Sequence, residues 1–287
     1  MSDLKEKTIG VFFGSRSPEH DISIITGQLI ISGLRDAGYQ VVPVYLGKQG
    51  QWLLGEEFGR LKIFTDPNRP IDPSVYPKYN LNLEKSKGKL VFEKKQGFKE
   101  LVIDVAFPAV HGSYGEDGTL QGLFEMFDVP YVGCDVPSSA IAMDKVLSKL
   151  LYVSRGIPTA NFLFFEKSEW KKNKSQVLEK IKSKLAWPVF VKPANLGSSI
   201  GVAKAVGQQD LELAIEVAFH YGNKFLVEEC VVDLMDVTCS VIGNDDPITS
   251  LLQESVFDES EFFSYDEKYL KDGGTQLGKA QNSIVIP

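Results

Sequence analysis

Cysteine, histidine and tryptophan are scarce in this sequence of 287 residues, which contains three of each. Cys134, Cys230 and Cys239 are odd in number and lack the spacing of zinc ligands. We therefore predict that each is a small core residue rather than part of a metal site. The three histidines show no ligand spacing either, which argues against a zinc site.

A surplus of positive charge and long apolar runs are also missing. The formal net charge is −7 and the pI about 5.2, which argues against a general affinity for nucleic acid, so any phosphate site must be built locally. No stretch reaches the length of a membrane span, and the charged N-terminus MSDLKEKTIGVFFG leads directly into a strand. We expect a cytoplasmic protein that binds neither nucleic acid nor membrane.

The composition is that of an ordinary globular protein, with 43% hydrophobic and 24% charged residues. The chain is long enough for two domains that each bury a substantial core. Because the pattern of strands and helices changes near residue 135, we predict an α/β domain over residues 1–135 and an α+β domain over residues 136–287.

The N-terminal half begins with a strand, a polar loop, a helical pattern that ends at Gly38 and a second strand. This order predicts a parallel sheet, whose ligands gather beyond the carboxyl ends of the strands. The loop from Ser15 to Asp21 is therefore a candidate site. His111 occupies the same kind of position, because it follows an apolar strand at 101–110 and begins the glycine-rich segment HGSYGEDG.

Three further elements are predicted with no chemistry assigned to them. Residues 51–100 are polar and weakly periodic, which indicates an excursion with a hairpin that turns at residues 87–88. Residues 131–134 (YVGC) are predicted to form a short strand, and residues 138–156 a single helix.

In the second half, two strand-like runs flank the segment from Asn195 to Gly201, which is rich in glycine and serine. The backbone N–H groups and hydroxyls of such a loop can bind phosphate oxygens, and Lys192 ends the strand beside it. The same residues also fit a hairpin with a flexible turn and a solvated lysine. The loop is not a Walker P-loop, because no GxxxxGK[ST] precedes a helix.

Five motifs, in the order HGSYGEDGTLQG, MDKVLSK, VFVKPANLGSSIGV, FLVEE and EKYL, resemble those of the D-alanine:D-alanine ligases, which are ATP-grasp enzymes. The resemblance extends from about Ile9 to Pro287. It implies a parallel-sheet N-terminal (pre-ATP-grasp) domain followed by an ATP-grasp α+β domain that lacks its C-terminal part. Within the second domain it implies a central subdomain over 136–222 and an incomplete C-terminal subdomain over 223–287.

The resemblance also implies a nucleotide site, in which Lys145 and Lys192 approach the phosphates. Glu228 is implied at the adenine and hinge region, with Glu229 beside it, and strand alternation sends only one of the two into the cleft. Asp236 is the nearest match to the acid that holds the ribose hydroxyls. The remaining nucleotide-binding candidates belong to the glycine- and serine-rich loop: Gly197 and Ser199.

For the amino-acid substrates, the resemblance implies that Glu19 receives the amino group of the first D-alanine and forms a network with Ser198 and Tyr269. His111 is implied near the first D-alanine. Lys268 lies with Tyr269 in a segment that resembles the mobile loop over the second substrate. Taken without the resemblance, Glu19 also fits an ordinary acid in a surface loop.

The implied reaction is the ATP-dependent ligation of two D-alanines through an acyl phosphate, for peptidoglycan precursors in the bacterial cytoplasm. Mg²⁺, or Mn²⁺, is the implied cofactor, ATP the co-substrate and a homodimer the implied assembly. We expect the metal ligands to lie beyond Pro287, because the family's metal-binding motif has no match before that residue. A D-lactate or D-serine ligase and a non-catalytic nucleotide-binding chain stay open as alternatives.

Overall fold

A computed structural model describes residues 3–66, 71–94, 100–255 and 284–285. The chain divides into two compact units, Met1–Leu150 and Leu151–Pro287. The domain boundary near residue 135 stays a prediction. Within the described ranges, no helix is long and apolar enough to cross a membrane.

Helices and strands occur in both units. In order they are β1 (Thr8–Gly14), α1 (His20–Asp36), β2 (Gln40–Leu46), β3 (Trp52–Leu54), α2 (Lys62–Thr65), β4 (Tyr79–Leu81), β5 (Leu90–Lys94), β6 (Glu100–Ile103), β7 (Val105–Pro108), α3 (Thr119–Met126), α4 (Val136–Met143), α5 (Lys145–Ser154), β8 (Phe162–Glu166), α6 (Lys167–Lys184), β9 (Val189–Pro193), β10 (Ala203–Ala205), α7 (Gln208–Ala218), β11 (Lys224–Glu229), β12 (Asp236–Thr238), β13 (Val241–Ile242), β14 (Ile248–Thr249), β15 (Gln253–Ser255) and β16 (Ile284–Val285). Short 3-10 helices lie at Asp3–Glu6, Glu56–Gly59 and Pro73–Val75.

The main sheet of the first unit has the strand order β3-β2-β1-β7, and β1 pairs in parallel with both β2 and β7. Side chains of β1 alternate between two cores: Val11 and Phe13 pack on the side of α1, and Phe12 packs on the side of α3. The predicted βαβ unit and parallel sheet are confirmed. Parallel pairing brings the loops after β1 and β7 to the same edge of the sheet.

The excursion after β3 forms a second sheet of order β4-β5-β6, in which β4 and β5 make the predicted hairpin. The single strand predicted at 101–110 is instead two strands in different sheets. Asp104 breaks the run, because its carboxylate accepts a hydrogen bond from Thr8 N–H (2.9 Å) and its own N–H donates to the Thr8 carbonyl (2.9 Å). Tyr131 makes only an isolated bridge with Ala106, so the predicted strand at 131–134 is wrong.

The second unit contains a four-stranded antiparallel sheet of order β10-β9-β11-β8. Alternate residues of its strands, including Val191, Phe225 and Val227, pack under α6 and α7 in a core that also contains Trp170 and Ile181. The opposite face of the sheet does not belong to this core. The α+β module predicted for this half is confirmed.

The single helix predicted at 138–156 is divided into α4 and α5 at Asp144, whose backbone is extended. Its carboxylate accepts hydrogen bonds from the N–H groups of Val146 (2.9 Å) and Leu147 (3.2 Å). Asp144 therefore caps the second helix and allows the chain to change direction before Lys145.

The core positions predicted for the cysteines are wrong. Cys134 and Cys239 are exposed, and Cys230 is half-buried. Cys134 precedes the cap of α4, and Cys230 directly follows β11, so the chain has left the packed strands at both positions.

We predict that two leucines of α7 differ sharply in their contribution to stability. Leu211 is 0% exposed in the core under the antiparallel sheet, whereas Leu213, two residues later, is 68% exposed. Leu211→Ala should lower the free energy of unfolding by about 2–5 kcal/mol, because it leaves a cavity. Leu213→Ala should change it by less than about 0.5 kcal/mol. Urea unfolding measures both, and equal losses would contradict the assigned packing of α7.

Candidate functional site

The loop after β1 is held tightly at both ends. Ser15 has a left-handed backbone (φ 84°), which is uncommon for a residue other than glycine. Its N–H donates to the Leu46 carbonyl of the neighbouring strand (2.6 Å). At the far end, Glu19 occupies the N-cap position of α1, and its N–H donates to the Ser17 hydroxyl (3.0 Å). Glu19 is 3% exposed, so this acid does not lie on the surface of the loop.

The loop after β7 is joined to the loop after β1 and to α1 by side-chain hydrogen bonds. The Ser15 hydroxyl donates to the Ser113 carbonyl (3.2 Å), and the Ser23 hydroxyl donates to the Ala109 carbonyl (2.8 Å). His111 Nε2 lies 2.9 Å from the Thr26 hydroxyl of α1. The structure therefore brings the predicted residues His111 and Glu19 to the same edge of the sheet.

Gly112 makes this close approach possible. Its backbone is left-handed (φ 75°), and a Cβ atom at this position would overlap the Glu19 carboxylate and lie 2.5 Å from the Ser17 hydroxyl. Any other residue here would displace the Glu19 side chain. The first glycine of HGSYGEDG, Gly112, thus leaves the space that the Glu19 carboxylate occupies.

A second carboxylate, Glu116, belongs to the same cluster. Its Oε2 accepts a hydrogen bond from Gly112 N–H (2.7 Å). Burial of the carboxyl raises the pKa of Glu116, and the negative charge of Glu19 acts in the same direction, while the Gly112 hydrogen bond and the His111 ring oppose it. Glu116 as a whole residue is exposed, so solvent screens this effect.

In the second unit, Lys192 and Glu228 lie on the face of the antiparallel sheet that is opposite to the core. Lys192 is opposite Leu226 in the strand register, and Glu228 is opposite Phe190. The side chains of Lys192 and Glu228 form an ion pair. Glu228 is buried, and the Lys192 ammonium lies 5.7 Å from the centre of the Phe190 ring. The face thus combines a cation, a carboxylate and an aromatic ring.

The loop that joins β9 to β10 has an unusual backbone. Three residues other than glycine have positive φ in it: Leu196 (110°), Ser198 (50°) and Ser199 (57°). Gly201 is also left-handed (φ 70°), and a Cβ there would overlap Tyr221. Such conformations cost free energy and cluster at functional sites, where they turn successive N–H groups toward a ligand. The predicted residues Gly197, Ser198 and Ser199 therefore lie in a loop whose shape suits an anion.

The other predicted residues have different surroundings. The Glu229 carboxylate accepts hydrogen bonds from Ala186 N–H (2.8 Å) and the Asn161 side chain (2.9 Å), so it ties the end of β11 to neighbouring segments. Asp236 begins β12, in a separate three-stranded sheet. Lys145 begins α5, directly after the Asp144 cap. Lys268 and Tyr269 lie outside the described residues.

Sequence reasoning missed Glu116 and Phe190 as members of the two clusters. In the sequence, nothing distinguishes Glu116 from the other residues of HGSYGEDG. Its contact with Gly112, four residues earlier, can be inferred only once the turn between them is known. Phe190 alternates with Val189 and Val191 along β9, so its face could be assigned only after the core side was known.

Comparison with known proteins matches both units to one family. Residues 8–134 match the model described as the D-ala D-ala ligase N-terminus, and residues 151–283 match the D-ala D-ala ligase C-terminus. A D-alanine–D-alanine ligase of Chloroherpeton thalassium is 40% identical over 283 residues, which is 98% of this chain and 76% of that protein. The corresponding ligase of Caldicellulosiruptor bescii is 39% identical over 96% of this chain and 73% of its own length.

Solved structures of similar fold include the D-alanine–D-alanine ligase of Coxiella burnetii, with a TM-score of 0.74, 28% identity and coverage of 86% of this chain and 70% of that one. The VanG D-Ala:D-Ser ligase of Enterococcus faecalis has a TM-score of 0.74 and 31% identity over 92% of this chain and 73% of its own. The fold is that of an ATP-grasp ligase, as predicted. The chain belongs to the D-alanine–D-alanine ligase family, which confirms the predicted enzyme class and function.

We predict opposite pH dependences for two glutamates. A carboxyl with a raised pKa contributes stability that is fully present at low pH and is lost as the pH rises from its ordinary value of 4.5 through its folded value. The free energy of unfolding of the parent chain should therefore fall relative to that of Glu116→Gln as the pH rises above 4.5.

Glu212 is the matched control, because hydrogen bonds from Lys174 and Gln208 lower its pKa. The free energy of unfolding of the parent chain, relative to that of Glu212→Gln, should be lowest at low pH and should increase as the pH rises. Denaturant unfolding at a series of pH values measures both differences, and slopes of the same sign would contradict the assigned environments.

Proposed function

We propose that the cluster at the edge of the parallel sheet binds the first D-alanine, and that the face and loop around Lys192 bind ATP. The observation that carries this assignment is the convergence of buried Glu19 and Gly112 with half-buried His111 beyond the carboxyl ends of two adjacent parallel strands. That is the position at which open α/β sheets bind their ligands.

In the amino-acid site, the Glu19 carboxylate accepts hydrogen bonds from the ammonium group of D-alanine. A charge-assisted hydrogen bond in a buried site is strong and directional, which suits the recognition of one end of a small substrate. His111, held by Thr26 on one side, contributes a polar ring at the same edge. The network of Glu19 with Ser198 and Tyr269 stays a prediction.

In the nucleotide site, Lys192 and the glycine- and serine-rich loop of residues 197–201 bind phosphate oxygens. The role of Lys145 as a second cation stays a prediction. The positive charge of Lys192 stabilises the transferring phosphoryl group as it moves from ATP to the carboxylate of the first D-alanine. The amine of the second D-alanine then attacks the acyl carbon, and phosphate leaves as the peptide bond forms. Glu228 is the acid at the base-binding end of this face, with Asp236 at the ribose.

Mg²⁺ is the cation expected with ATP, and it prefers several hard oxygen ligands. Among the described residues, no group of three or more Asp, Glu, His or Cys side chains is arranged to hold a metal ion. We therefore assign no metal ligand in this part of the chain. The bacterial cytoplasm, where ATP is available, and a homodimer are the setting and assembly that accompany this function.

We predict that the purified chain, with ATP and Mg²⁺, releases phosphate and forms D-alanyl-D-alanine from D-alanine and not from L-alanine. A coupled phosphate assay with mass detection of the dipeptide measures this directly. Binding of nucleotide without any dipeptide would support the alternative of a non-catalytic chain.

D-Serine and D-lactate added as competing acceptors test the second substrate, because the VanG protein of similar fold is a D-Ala:D-Ser ligase. D-alanyl-D-alanine should stay the main product at equal acceptor concentrations. Predominance of D-alanyl-D-serine or D-alanyl-D-lactate would overturn the assigned acceptor while leaving the assigned reaction type intact.

We predict that Glu19→Gln weakens D-alanine binding by about tenfold or more, because it removes the charge from a buried hydrogen-bond acceptor. Asp21→Asn is the matched control: Asp21 lies two residues later on α1, is exposed and pairs with Lys48. It should change D-alanine binding by less than about twofold. Calorimetric titration in the presence of a non-hydrolysable ATP analogue measures both, and equal effects would contradict the role of Glu19.

A further inference from the structure

The carbonyl of Ser15 is the point at which the loop after β1 needs an additional hydrogen-bond donor. The left-handed backbone of Ser15 turns this carbonyl away from the strand ladder, and Ser15 is buried. A buried carbonyl without a donor costs free energy. His20, the first residue of α1, supplies the donor: its Nδ1 lies 2.5 Å from the Ser15 oxygen.

The second nitrogen of the ring is held as well. His20 Nε2 lies 3.1 Å from the hydroxyl of Tyr45 on β2. Because a carbonyl only accepts, Nδ1 must carry the proton, and in a neutral ring Nε2 is then the acceptor of the Tyr45 hydroxyl proton. Burial lowers the pKa of His20 and raises that of Tyr45 to about 12, so both groups stay neutral near pH 7.

Tyr45 is itself fixed by packing. Its ring stacks on Phe58 with centroids 5.8 Å apart and meets Phe64 edge to face at 5.0 Å. His20 is 2% exposed and contacts the Tyr45 ring edge to face at 5.6 Å. A rigid aromatic cluster is therefore connected, through one imidazole, to the loop that ends in Glu19.

We propose that His20 is a positioning residue of the amino-acid site: the relay from Tyr45 through His20 to the Ser15 carbonyl fixes the loop and thereby sets the Glu19 carboxylate. This inference rests on the proposed function for the role of Glu19 as the substrate's partner. The order of the loop can be measured without substrate by amide hydrogen exchange. The N–H groups of Gly14, Ser15, Glu19 and His20 all donate hydrogen bonds within the loop or to residues that flank it, so loosening the loop would speed their exchange.

Three substitutions separate the two hydrogen bonds of His20. His20→Phe keeps a ring and removes both bonds. His20→Asn places an amide N–H near the position of Nδ1 and retains a donor for Ser15, whereas His20→Gln reaches toward Tyr45 and loses the Ser15 bond. Phe58→Leu is the control for general loss of packing, because Phe58 supports Tyr45 and its ring has no bond to the loop.

The experiment measures amide hydrogen exchange over residues 14–23 in the ligand-free full chain, and the dissociation constants of D-alanine and ADP. His20→Phe and His20→Gln should each speed loop exchange and weaken D-alanine binding about tenfold, with ADP binding unchanged. His20→Asn and Phe58→Leu should stay within about threefold of the parent chain in both loop exchange and D-alanine binding.

Loop exchange that is unchanged in His20→Phe would overturn the inference even if D-alanine binds as proposed. Equal losses in His20→Asn and His20→Phe, or in Phe58→Leu, would also overturn it, since they would reduce His20 to a packing residue. If the parent chain binds no D-alanine, the proposed amino-acid site fails, and the exchange rates still decide whether His20 fixes the loop.

Discussion

Parallel pairing of β1 with β2 on one side and β7 on the other is the constraint on which the amino-acid site depends. Because all three strands run in the same direction, the loops that follow β1 and β7 emerge side by side. Glu19 and His111, which are 92 positions apart in the sequence, are therefore brought to one edge of the sheet. The glycine at 112 then admits the carboxylate, and the serine hydroxyls join the two loops.

The second unit is built on antiparallel strands. Its sheet buries one face under α6 and α7, and the other face carries the Lys192–Glu228 ion pair. This ion pair is partly removed from solvent, so the loss of either partner would leave the other charge poorly compensated. The strained loop between β9 and β10 follows the strand that carries Lys192, and the proposed phosphate site rests on this arrangement.

Much of this arrangement was predictable from the sequence, because apolar residues recur at strand or helix spacing and glycine-rich or polar loops separate the runs. The alternation of strand, loop and helix in the first 46 residues predicted the parallel sheet, and the run around Lys192 predicted the hairpin. The predicted bounds of a strand and a helix were wrong where a single polar residue divides an apolar or helical run. Asp104 divides a continuous apolar run because it bonds to Thr8, and Asp144 divides a helical run because it caps α5. The pairing of His20 with Tyr45 likewise joins distant residues whose partnership leaves no pattern in the sequence.

The central claim is that amino acid and nucleotide bind to separate structural units of one chain. Amide chemical-shift mapping with D-alanine, L-alanine and ADP in separate titrations tests it most directly. D-alanine should shift amides in residues 14–23 and 111–118, ADP should shift those in residues 189–201 and 225–229, and L-alanine should shift neither set. D-alanine shifts confined to the second unit, or identical shifts from both alanine isomers, would contradict the account.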